Sequence, residues 1–587
     1  MRFVNVVPVR RMQADRPWLT YDLPETLTVQ PGSLVTIPLR GRPILGVVWE
    51  THDQAPKYHT QNISAVHLTE PILTAWQRRV CQVMAEAGST SLGDVVFRVI
   101  PKLTLRGLAK ALSGSIRPVP IPPVPTESFL WYRDRTEAMQ KISTVITEQA
   151  EQPIVIVTPT NDDAEELVRL VEGLGKTAFH LHGQVAPTIY ASWYDRIRNG
   201  ESLIVIGGLS ALAIPCHHPP LIILDQEEHH AHKQTAQFPY YDTRAVLQQL
   251  AVPMQVTTPA PGVTLYHRQH PLPPAPSTNR TLISLHGPKQ GPLLSEETLT
   301  IIDDVIAKKQ RLAVIAPRRG YASSTACRVC GTVVVCPTCG RSASIFRGLA
   351  DEARCHACQT SIPSATSCQK CGATDWAFHG YGSEQTVSAL QRLRPDLTIT
   401  PVIKPEVTAD IGVDTYQAYR SLRRIINLGA VIVISGDSLL SSPDYSVAER
   451  AWQYLARLQA EVPRLPLAVQ TFEPHSPFWQ RWVAGDDRAW YDDELQQRQR
   501  LRVPPFSLQW IAAYRGQQKV VTEKMTELEK KYGQGVTVRV LPQRATPPNK
   551  HRLLINFNNQ ELFKTLPWIT IFALPWHLDR YPTSWLD

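Results

Sequence analysis

Between residues 128 and 270, short apolar runs alternate with longer amphipathic stretches. Short apolar runs predict buried strands, and apolar positions spaced three or four residues apart predict helices. The pattern predicts strands at 154–157, 179–181, 203–206 and 221–224, with helices at 164–174 and 189–197. Strands that alternate with helices are typical of a parallel sheet, so we assign residues 128–270 to one α/β lobe.

The same alternation returns after a proline-rich segment at 259–276. It predicts strands at 312–316, 411–413, 431–434 and 468–472. Two α/β lobes in tandem are the architecture of a superfamily 2 helicase motor, although many other enzymes share it. The fold class is therefore multidomain α/β, with a second lobe formed by 271–326 and 380–474 and a C-terminal α/β domain over 475–587.

The N-terminal region has a different pattern. Strand-like runs at 34–38 and 44–49 follow turn residues, which predicts a small β domain over residues 1–55. Helical periodicity at 71–87 and 103–112 then predicts a winged-helix-like domain over 56–116. Proline dominates the next segment, 117–127, which we interpret as an extended linker between domains.

Positive charge is concentrated near the start of this chain of 587 residues, whose net charge is +9. Residues 1–126 hold 14 Lys and Arg against 8 Asp and Glu, so +6 of the charge lies there. This excess favours a polyanionic partner such as DNA, with Arg16, Arg40 and Arg42 as predicted phosphate contacts. The aromatic side chains predicted to stack on bases are Trp18, Tyr21 and Trp49.

The chain carries no sign of membrane insertion. Its N-terminus lacks an apolar signal core, and no apolar run approaches the roughly 18 residues of a membrane span. We therefore expect a soluble, cytoplasmic protein without a membrane partner.

Eight of the ten cysteines lie in four Cys-x-x-Cys pairs between residues 327 and 371. The two-residue spacer lets both thiolates of a pair reach one ion, and two pairs complete a tetrahedral Zn²⁺ site. Disulfides and redox dithiols are the alternatives, but the other two cysteines are scattered singly and redox pairs do not come in fours. We therefore predict a module over 327–371 that binds two zinc ions.

The four pairs can combine as neighbours, alternately, or as an outer set that encloses an inner set. Fifteen residues separate the second pair from the third, the length of a zinc-ribbon hairpin, and this favours the nested arrangement. Four-cysteine sites keep no open position for water, so both are expected to be structural. The nested arrangement assigns one zinc to Cys327, Cys330, Cys368 and Cys371, and the other to Cys336, Cys339, Cys355 and Cys358.

Further motifs flank this module or lie elsewhere along the chain. They include LIILDQEE at 221–228, RRGY at 318–321, GYGSE at 380–384, PDY at 443–445 and PPF at 504–506. Together they resemble the motifs of the PriA replication-restart helicase family, also called primosomal protein N′. The resemblance implies an N-terminal domain that captures the 3′ end of the leading strand at a fork, two helicase lobes and a zinc module used for primosome contacts. The partners it implies are forked DNA, a single-stranded DNA-binding protein and the replicative helicase or its loader.

The motor motifs of that family are degenerate in this chain. A P-loop needs glycines and a lysine between a strand and a helix, but the matching residues 129–137 read FLWYRDRTE. Asp225 could still hold Mg²⁺, yet the acid expected after it is Gln226, whose amide cannot take a proton from water. Glu461 stands where the family has an arginine finger, and its charge opposes that of a γ-phosphate. ATP and Mg²⁺ are therefore not expected as cofactors.

A shifted register restores an acid at this position. It places Glu227, Glu228 and His229 in the acidic-His motif, but it loses the match of Lys233 and Gln234. Clustered histidines also occur here, without the spacing of a metal site, so we expect them on the surface or in loops. These are His217, His218, His229, His230 and His232.

The sequence thus predicts a replication-restart protein that binds forked DNA and helps to reload the replicative helicase without a motor of its own. One alternative is an active ATP-dependent 3′→5′ DNA helicase with divergent motifs. The other is a zinc-ribbon nucleic-acid-binding protein unrelated to replication. ATP turnover on forked DNA separates the first two, and a preference for forks over plain duplex separates the third.

Overall fold

The computed structural model describes most of the chain, in a series of separate ranges. No helix within them has both the length and the apolar composition needed to cross a bilayer. The described residues are 2–10, 16–68, 70–100, 128–149, 152–234, 239–252, 254–271, 279–285, 294–317, 324–327, 329–330, 332, 344–345, 352–354, 361–363, 368, 370–374, 376–379, 382–442, 444–541, 550–558, 560–572 and 576–584.

An antiparallel sheet of five strands forms the N-terminal unit, in the order β2-β1-β4-β3-β5. Strand β5 pairs with β3 through Val35 and Val66, so the β domain extends beyond the predicted boundary at residue 55. Gly32 lies two residues before β3 and has a φ of +101°. A Cβ at this position would clash with the carbonyl oxygen of Leu73, so both the backbone angle and the space favour glycine. The strands are β1 (Arg2–Pro8), β2 (Leu19–Leu23), β3 (Leu34–Leu39), β4 (Arg42–His52) and β5 (Ala65–Leu68).

Two helices, Ala75–Ala87 and Leu92–Val99, follow this sheet. The first begins at a capping box, in which Thr74 and Gln77 satisfy each other's backbone amides. Trp76 donates from its indole to the carbonyl of Leu212 at 2.9 Å, which ties this helix to the next domain. The second predicted helix, at 103–112, and the linker at 117–127 lie outside the described residues.

Lobe 1 is a parallel sheet of six strands in the order β6-β11-β10-β7-β9-β8. The strands at 154–157 and 221–224 are those predicted from the sequence. Its strands are β6 (Ser128–Trp131), β7 (Ile154–Val157), β8 (Ala178–Leu181), β9 (Ile204–Gly207), β10 (Leu221–Leu224) and β11 (Met254–Thr258). Its helices are Arg135–Glu148, Asn161–Gly173, Pro187–Arg198, Thr243–Leu250 and Val263–Gln269.

Lobe 2 is a second parallel sheet of six strands, in the order β12-β22-β21-β13-β20-β19. Trp479, Trp482 and Trp490 are buried in the core of this lobe, so it extends past the predicted boundary at 474 to about residue 501. Its strands are β12 (Arg280–Ser284), β13 (Arg311–Ala316), β19 (Ile399–Thr400), β20 (Ile411–Thr415), β21 (Leu428–Val433) and β22 (Leu467–Thr471). Its helices are Glu296–Ala307, Ser383–Leu393, Tyr419–Leu422, Gly436–Leu439, Val447–Glu461, Pro477–Ala484 and Asp487–Leu501.

A small β module lies between β13 and β19, where the cysteine pairs occur. Strands β14 (Ser324–Cys327) and β18 (Trp376–His379) pair antiparallel at its base. Between them, β15 (Ser344–Ile345), β16 (Glu352–Arg354) and β17 (Ser361–Pro363) form a three-stranded sheet. The module is therefore an insertion that leaves lobe 2 and returns to it through one strand pair.

The C-terminal domain is an antiparallel sheet in the order β24-β25-β23-β26, packed against helices in a split β-α-β arrangement. Its strands are β23 (Leu508–Arg515), β24 (Val536–Val540), β25 (Lys550–Phe557) and β26 (His577–Asp579). Its helices are Gln518–Tyr532, Gln560–Thr565 and Trp568–Ile571.

The end of this domain touches several others. Lys233 of lobe 1, nearly fully buried, binds the Asp579 carboxylate at 2.7 Å and the Tyr581 carbonyl at 3.0 Å. Arg580 donates to the carbonyl of Glu86 at 3.1 Å, and Ser584 donates to Asp444 of lobe 2 at 2.7 Å. This final segment therefore connects the helical N-terminal region with both lobes.

Candidate functional site

The carboxyl ends of the lobe 1 strands form one edge that faces lobe 2. In β6, β10 and β11, parallel pairing brings Trp131, Leu224 and Thr258 to this edge. Asp225 follows β10 directly, and the helix Arg135–Glu148 begins just after β6. Phosphates bind at such an edge in many α/β proteins, at the N-terminus of the helix that follows the first strand.

Arg135 occupies this edge and binds Asp225. The two guanidinium nitrogens Nη1 and Nη2 donate to the two carboxylate oxygens of Asp225, each at 2.6 Å. Arg135 is 2% exposed and Asp225 is completely buried. Thr257 also donates its hydroxyl to Asp225 Oδ1 at 2.7 Å. Both oxygens that Mg²⁺ would need are therefore engaged by a fixed cation of this chain.

The pair stabilises the charged form of both partners. Burial by itself raises the pKa of Asp225, but the charge and hydrogen bonds of Arg135 outweigh it and hold that pKa below its usual value. Burial likewise opposes the charge of Arg135, and Asp225 nevertheless holds the pKa of Arg135 well above its usual value. Asp225 is therefore a buried carboxylate with a permanent counterion.

The helix N-terminus beside this pair already carries acidic groups. The carboxylate of Asp134 caps the helix by accepting from the amide of Thr136 at 2.8 Å. Glu137 Oε2 accepts from the amide of Arg133 at 3.3 Å. The side chain of Tyr132 is buried in the same turn. An incoming phosphate would meet two carboxylates and a bulky ring where a P-loop offers free amides.

The neighbouring acids are also buried or paired. Gln226 donates its amide to Asp163 at 3.1 Å, and Glu228 binds Arg457 at 3.1 Å. Glu227 accepts from the amide of Gly262 at 2.9 Å, and burial raises the pKa of Glu227 to about 7. The shifted register therefore does not place an accessible acid at this edge.

Glu461, which the resemblance places where the family has an arginine finger, lies within this interface. Its carboxylate is 3.7 Å from the Nε of Arg423, which also pairs with Glu166 of lobe 1. Burial raises the pKa of Glu461, although Arg423 and Arg135 oppose the rise. The residues at this edge thus do not fit a nucleotide with Mg²⁺.

The prediction that the clustered histidines lie on the surface or in loops is only partly right. His229 caps a short 3-10 helix that contains His232, and both side chains are buried. His229 Nε2 lies 2.8 Å from the hydroxyl of Tyr419 in lobe 2, and His232 Nε2 lies 3.0 Å from the carbonyl of Asp225. The spacing of the histidines did not reveal that this segment lies between the two lobes.

The outer cysteines come together as a candidate metal centre. Cys327, Cys330, Cys368 and Cys371 each place Sγ within 4.8 Å of the others. Sγ atoms of Cys327 and Cys371 are 3.5 Å apart, and those of Cys330 and Cys368 are 3.6 Å apart. These separations exceed a disulfide bond and approach the edge of about 3.8 Å expected for four sulfurs around Zn²⁺.

Local hydrogen bonds shape the two turns that carry these thiols. The amide of Cys327 donates to the carbonyl of Thr332 at 2.8 Å, and the amide of Cys368 donates to Ala373 at 2.7 Å. The four-cysteine set is compatible with zinc and leaves no position for water in a tetrahedral complex. The inner set, Cys336, Cys339, Cys355 and Cys358, lies outside the described residues.

Among the candidate DNA contacts, the arginines are exposed and two of the aromatics are not. Arg40 lies at the tip of the β3–β4 hairpin with a φ of +51°, and Arg42 begins β4 beside it. Arg16 is exposed as well. Tyr21 is buried and donates to the carbonyl of Pro38 at 3.0 Å.

Tyr21 and Trp49 cannot stack on a base in this conformation, because both rings belong to buried cores of the N-terminal region. Trp18 is only partly buried. The sequence could not separate core aromatics from surface aromatics, since strands of a small sheet need large apolar side chains on the buried face.

Comparison with known proteins identifies a family match in the N-terminal region. Residues 6–101 match the family of the PriA 3′ DNA-binding domain (3′BD). The chain is also 27% identical over 378 residues to the replication restart protein PriA of Synechocystis sp., which covers 56% of this chain and 45% of that protein. The chain is similar to the PriA replication-restart proteins. The resemblance seen in the sequence motifs is thereby confirmed.

Other members of the family match to a similar extent. The PriA proteins of Bacillus subtilis and Borreliella burgdorferi are 23% and 22% identical, over 63% and 54% of this chain. These matches cover 50% and 52% of the two relatives. The chain thus spans about half the length of the PriA proteins that it matches.

The sequence motifs did not predict the partner of Asp225. Arg135 belongs to the segment 129–137, which lacks both glycine and lysine. A signal was nevertheless present. Arg135 stands at the start of the helix after β6, close to where a P-loop has its lysine, and the acid Asp225 follows β10. Only the distance between them establishes the pair.

Proposed function

We propose that this protein is a replication-restart factor that binds forked DNA and helps to reload the replicative helicase without an ATP-driven motor of its own. The observation that carries this proposal is the buried pair of Arg135 and Asp225 at the edge where a helicase holds nucleotide and Mg²⁺. A guanidinium held by both carboxylate oxygens replaces the metal and the P-loop lysine with one fixed positive charge.

Fork binding is assigned to the N-terminal domain. Its match to a 3′ DNA-binding domain supports this role, and the exposed Arg40 and Arg42 at the hairpin tip offer charges for phosphate. The four-cysteine centre supports a zinc module that contacts partner proteins, namely a single-stranded DNA-binding protein and the replicative helicase or its loader. A second zinc ion in the inner set of cysteines completes the proposal.

The test measures ATP hydrolysis on a fork with a free 3′ leading-strand end. We expect no turnover above that of a blank and no nucleotide binding at millimolar ATP by calorimetry, with a DNA helicase of known ATPase activity as the positive control. Turnover that disappears in Asp225→Asn would contradict the proposal and favour a divergent helicase. Equal affinity for the fork and for plain duplex at matched salt would contradict the fork-binding role.

A further inference from the structure

The two lobes share a hydrophobic core. Trp131 at the end of β6 and Tyr266 in the helix Val263–Gln269 come from lobe 1, and both pack on Tyr491 of the helix Asp487–Leu501. The ring centroids of Trp131 and Tyr491 are 5.5 Å apart, and the Tyr266 and Tyr491 rings stack at 4.2 Å. Tyr491 is completely buried.

Buried polar contacts surround this core and also join the lobes. Tyr491 donates its hydroxyl to the carbonyl of Pro261 at 2.6 Å. Arg457 of lobe 2 binds Glu228 of lobe 1 at 3.1 Å, and both side chains are buried. Separation of the lobes would break these buried contacts and expose both the ions and the apolar rings to water.

One backbone hydrogen bond crosses directly from lobe 1 to lobe 2. Val263 is the first residue of its helix, so its amide has no acceptor within the helix. That amide donates instead to Glu449 Oε1 of lobe 2 at 2.8 Å, and Glu449 is held in turn by Arg498 at 2.8 Å. Opening of the lobes would leave the Val263 amide without its acceptor.

We propose that the two lobes form a single closed unit, joined by the aromatic core around Tyr491, and that nucleotide does not open or close it. A motor cycles between open and closed arrangements of its lobes, and such a cycle requires a cleft whose surfaces tolerate water. Here the surfaces that would separate are apolar rings and buried ions. The inference rests on the proposed absence of a motor and states how the former motor lobes behave.

The test follows hydrogen exchange of the Val263 amide by fragmentation-resolved mass spectrometry. The full chain is measured alone, with forked DNA, and with forked DNA and millimolar Mg-ATP. We expect slow exchange that changes less than about twofold among the three conditions. Acceleration by Mg-ATP would overturn the inference. ATP hydrolysis is measured on the same samples: opening without hydrolysis overturns the closed unit alone, and opening with hydrolysis overturns the proposed function as well.

Variants of Tyr491 test the core itself. Tyr491→Ala removes the shared ring, so exchange at Val263 should rise by about tenfold or more, while the helix Gln518–Tyr532 of the C-terminal domain should be unaffected. Tyr491→Phe keeps the ring, loses only the hydroxyl bond, and preserves folding should the alanine variant fail to fold. It should raise the exchange at Val263 by only a few-fold. Tyr58→Ala, at a tyrosine that is 62% exposed, is the control and should change nothing. Unchanged exchange in Tyr491→Ala would also overturn the inference.

Discussion

Replacing Arg135 with methionine should destabilise lobe 1 strongly. The substitution keeps an aliphatic chain of similar length but leaves the buried Asp225 carboxylate with only neutral donors, such as the Thr257 hydroxyl at 2.7 Å. Removal of one partner from a buried ion pair typically costs about 3–5 kcal/mol, because the remaining charge is uncompensated. We expect a loss of that size for Arg135→Met at pH 7.

The loss should depend on pH. In the wild type the folded-state pKa of Asp225 is lowered, so its stabilising contribution is present above the unfolded pKa and disappears as pH falls through the folded value. In Arg135→Met, burial remains without the guanidinium and raises the pKa of Asp225, so stability instead declines as pH rises through that raised value. The difference between wild type and variant should therefore be larger at pH 7 than near pH 4.5.

The double variant Arg135→Met with Asp225→Asn separates the pair from the loss of packing. Removing the second charge should restore about 2–3 kcal/mol of the loss, because an amide leaves no buried ion. The assay is urea unfolding combined with native-state hydrogen exchange in β10, so that lobe 1 is observed by itself. Glu201→Gln is the control, since the surface pair of Glu201 and Arg196 is 48% and 39% exposed and should contribute less than about 1 kcal/mol. A double variant as unstable as Arg135→Met would refute the coupling.

Three further predictions concern other parts of the chain. Chelation should release two equivalents of zinc and unfold residues 327–371, which hydrogen exchange would detect, while the affinity for forked DNA changes by less than about twofold. Release of only one equivalent would contradict the second zinc site. Arg40→Ala and Arg42→Ala should each lower the slope of log affinity against log salt by about 1, and an unchanged slope would exclude these phosphate contacts. Lys233→Met should cost about 1–3 kcal/mol and expose the segment around Asp579 to protease, whereas an intact segment would show that this contact does not hold it.

The strand predictions succeeded where the signal was local. The strands at 154–157 and 221–224 are continuous runs of Ile, Val and Leu, and such runs are buried in a parallel sheet whatever lies around them. The boundaries predicted at 55 and 474 depend on contacts between distant segments, which local patterns do not report. Strand Ala65–Leu68 completes the first sheet, and Trp479 completes the core of lobe 2.

The sequence by itself determined the cysteine pairs and the alternation of strands and helices in both parallel sheets. It also showed the loss of the P-loop glycines and lysine. Each of these features depends only on neighbouring residues. Only the tertiary structure decided what stands in the place of the lost motif. Arg135 and Asp225 are 90 positions apart, and the sheet order β6-β11-β10 brings them within hydrogen-bond distance. Burial then turns an ordinary arginine into a fixed counterion, since a charge withdrawn from water is stable only beside its partner.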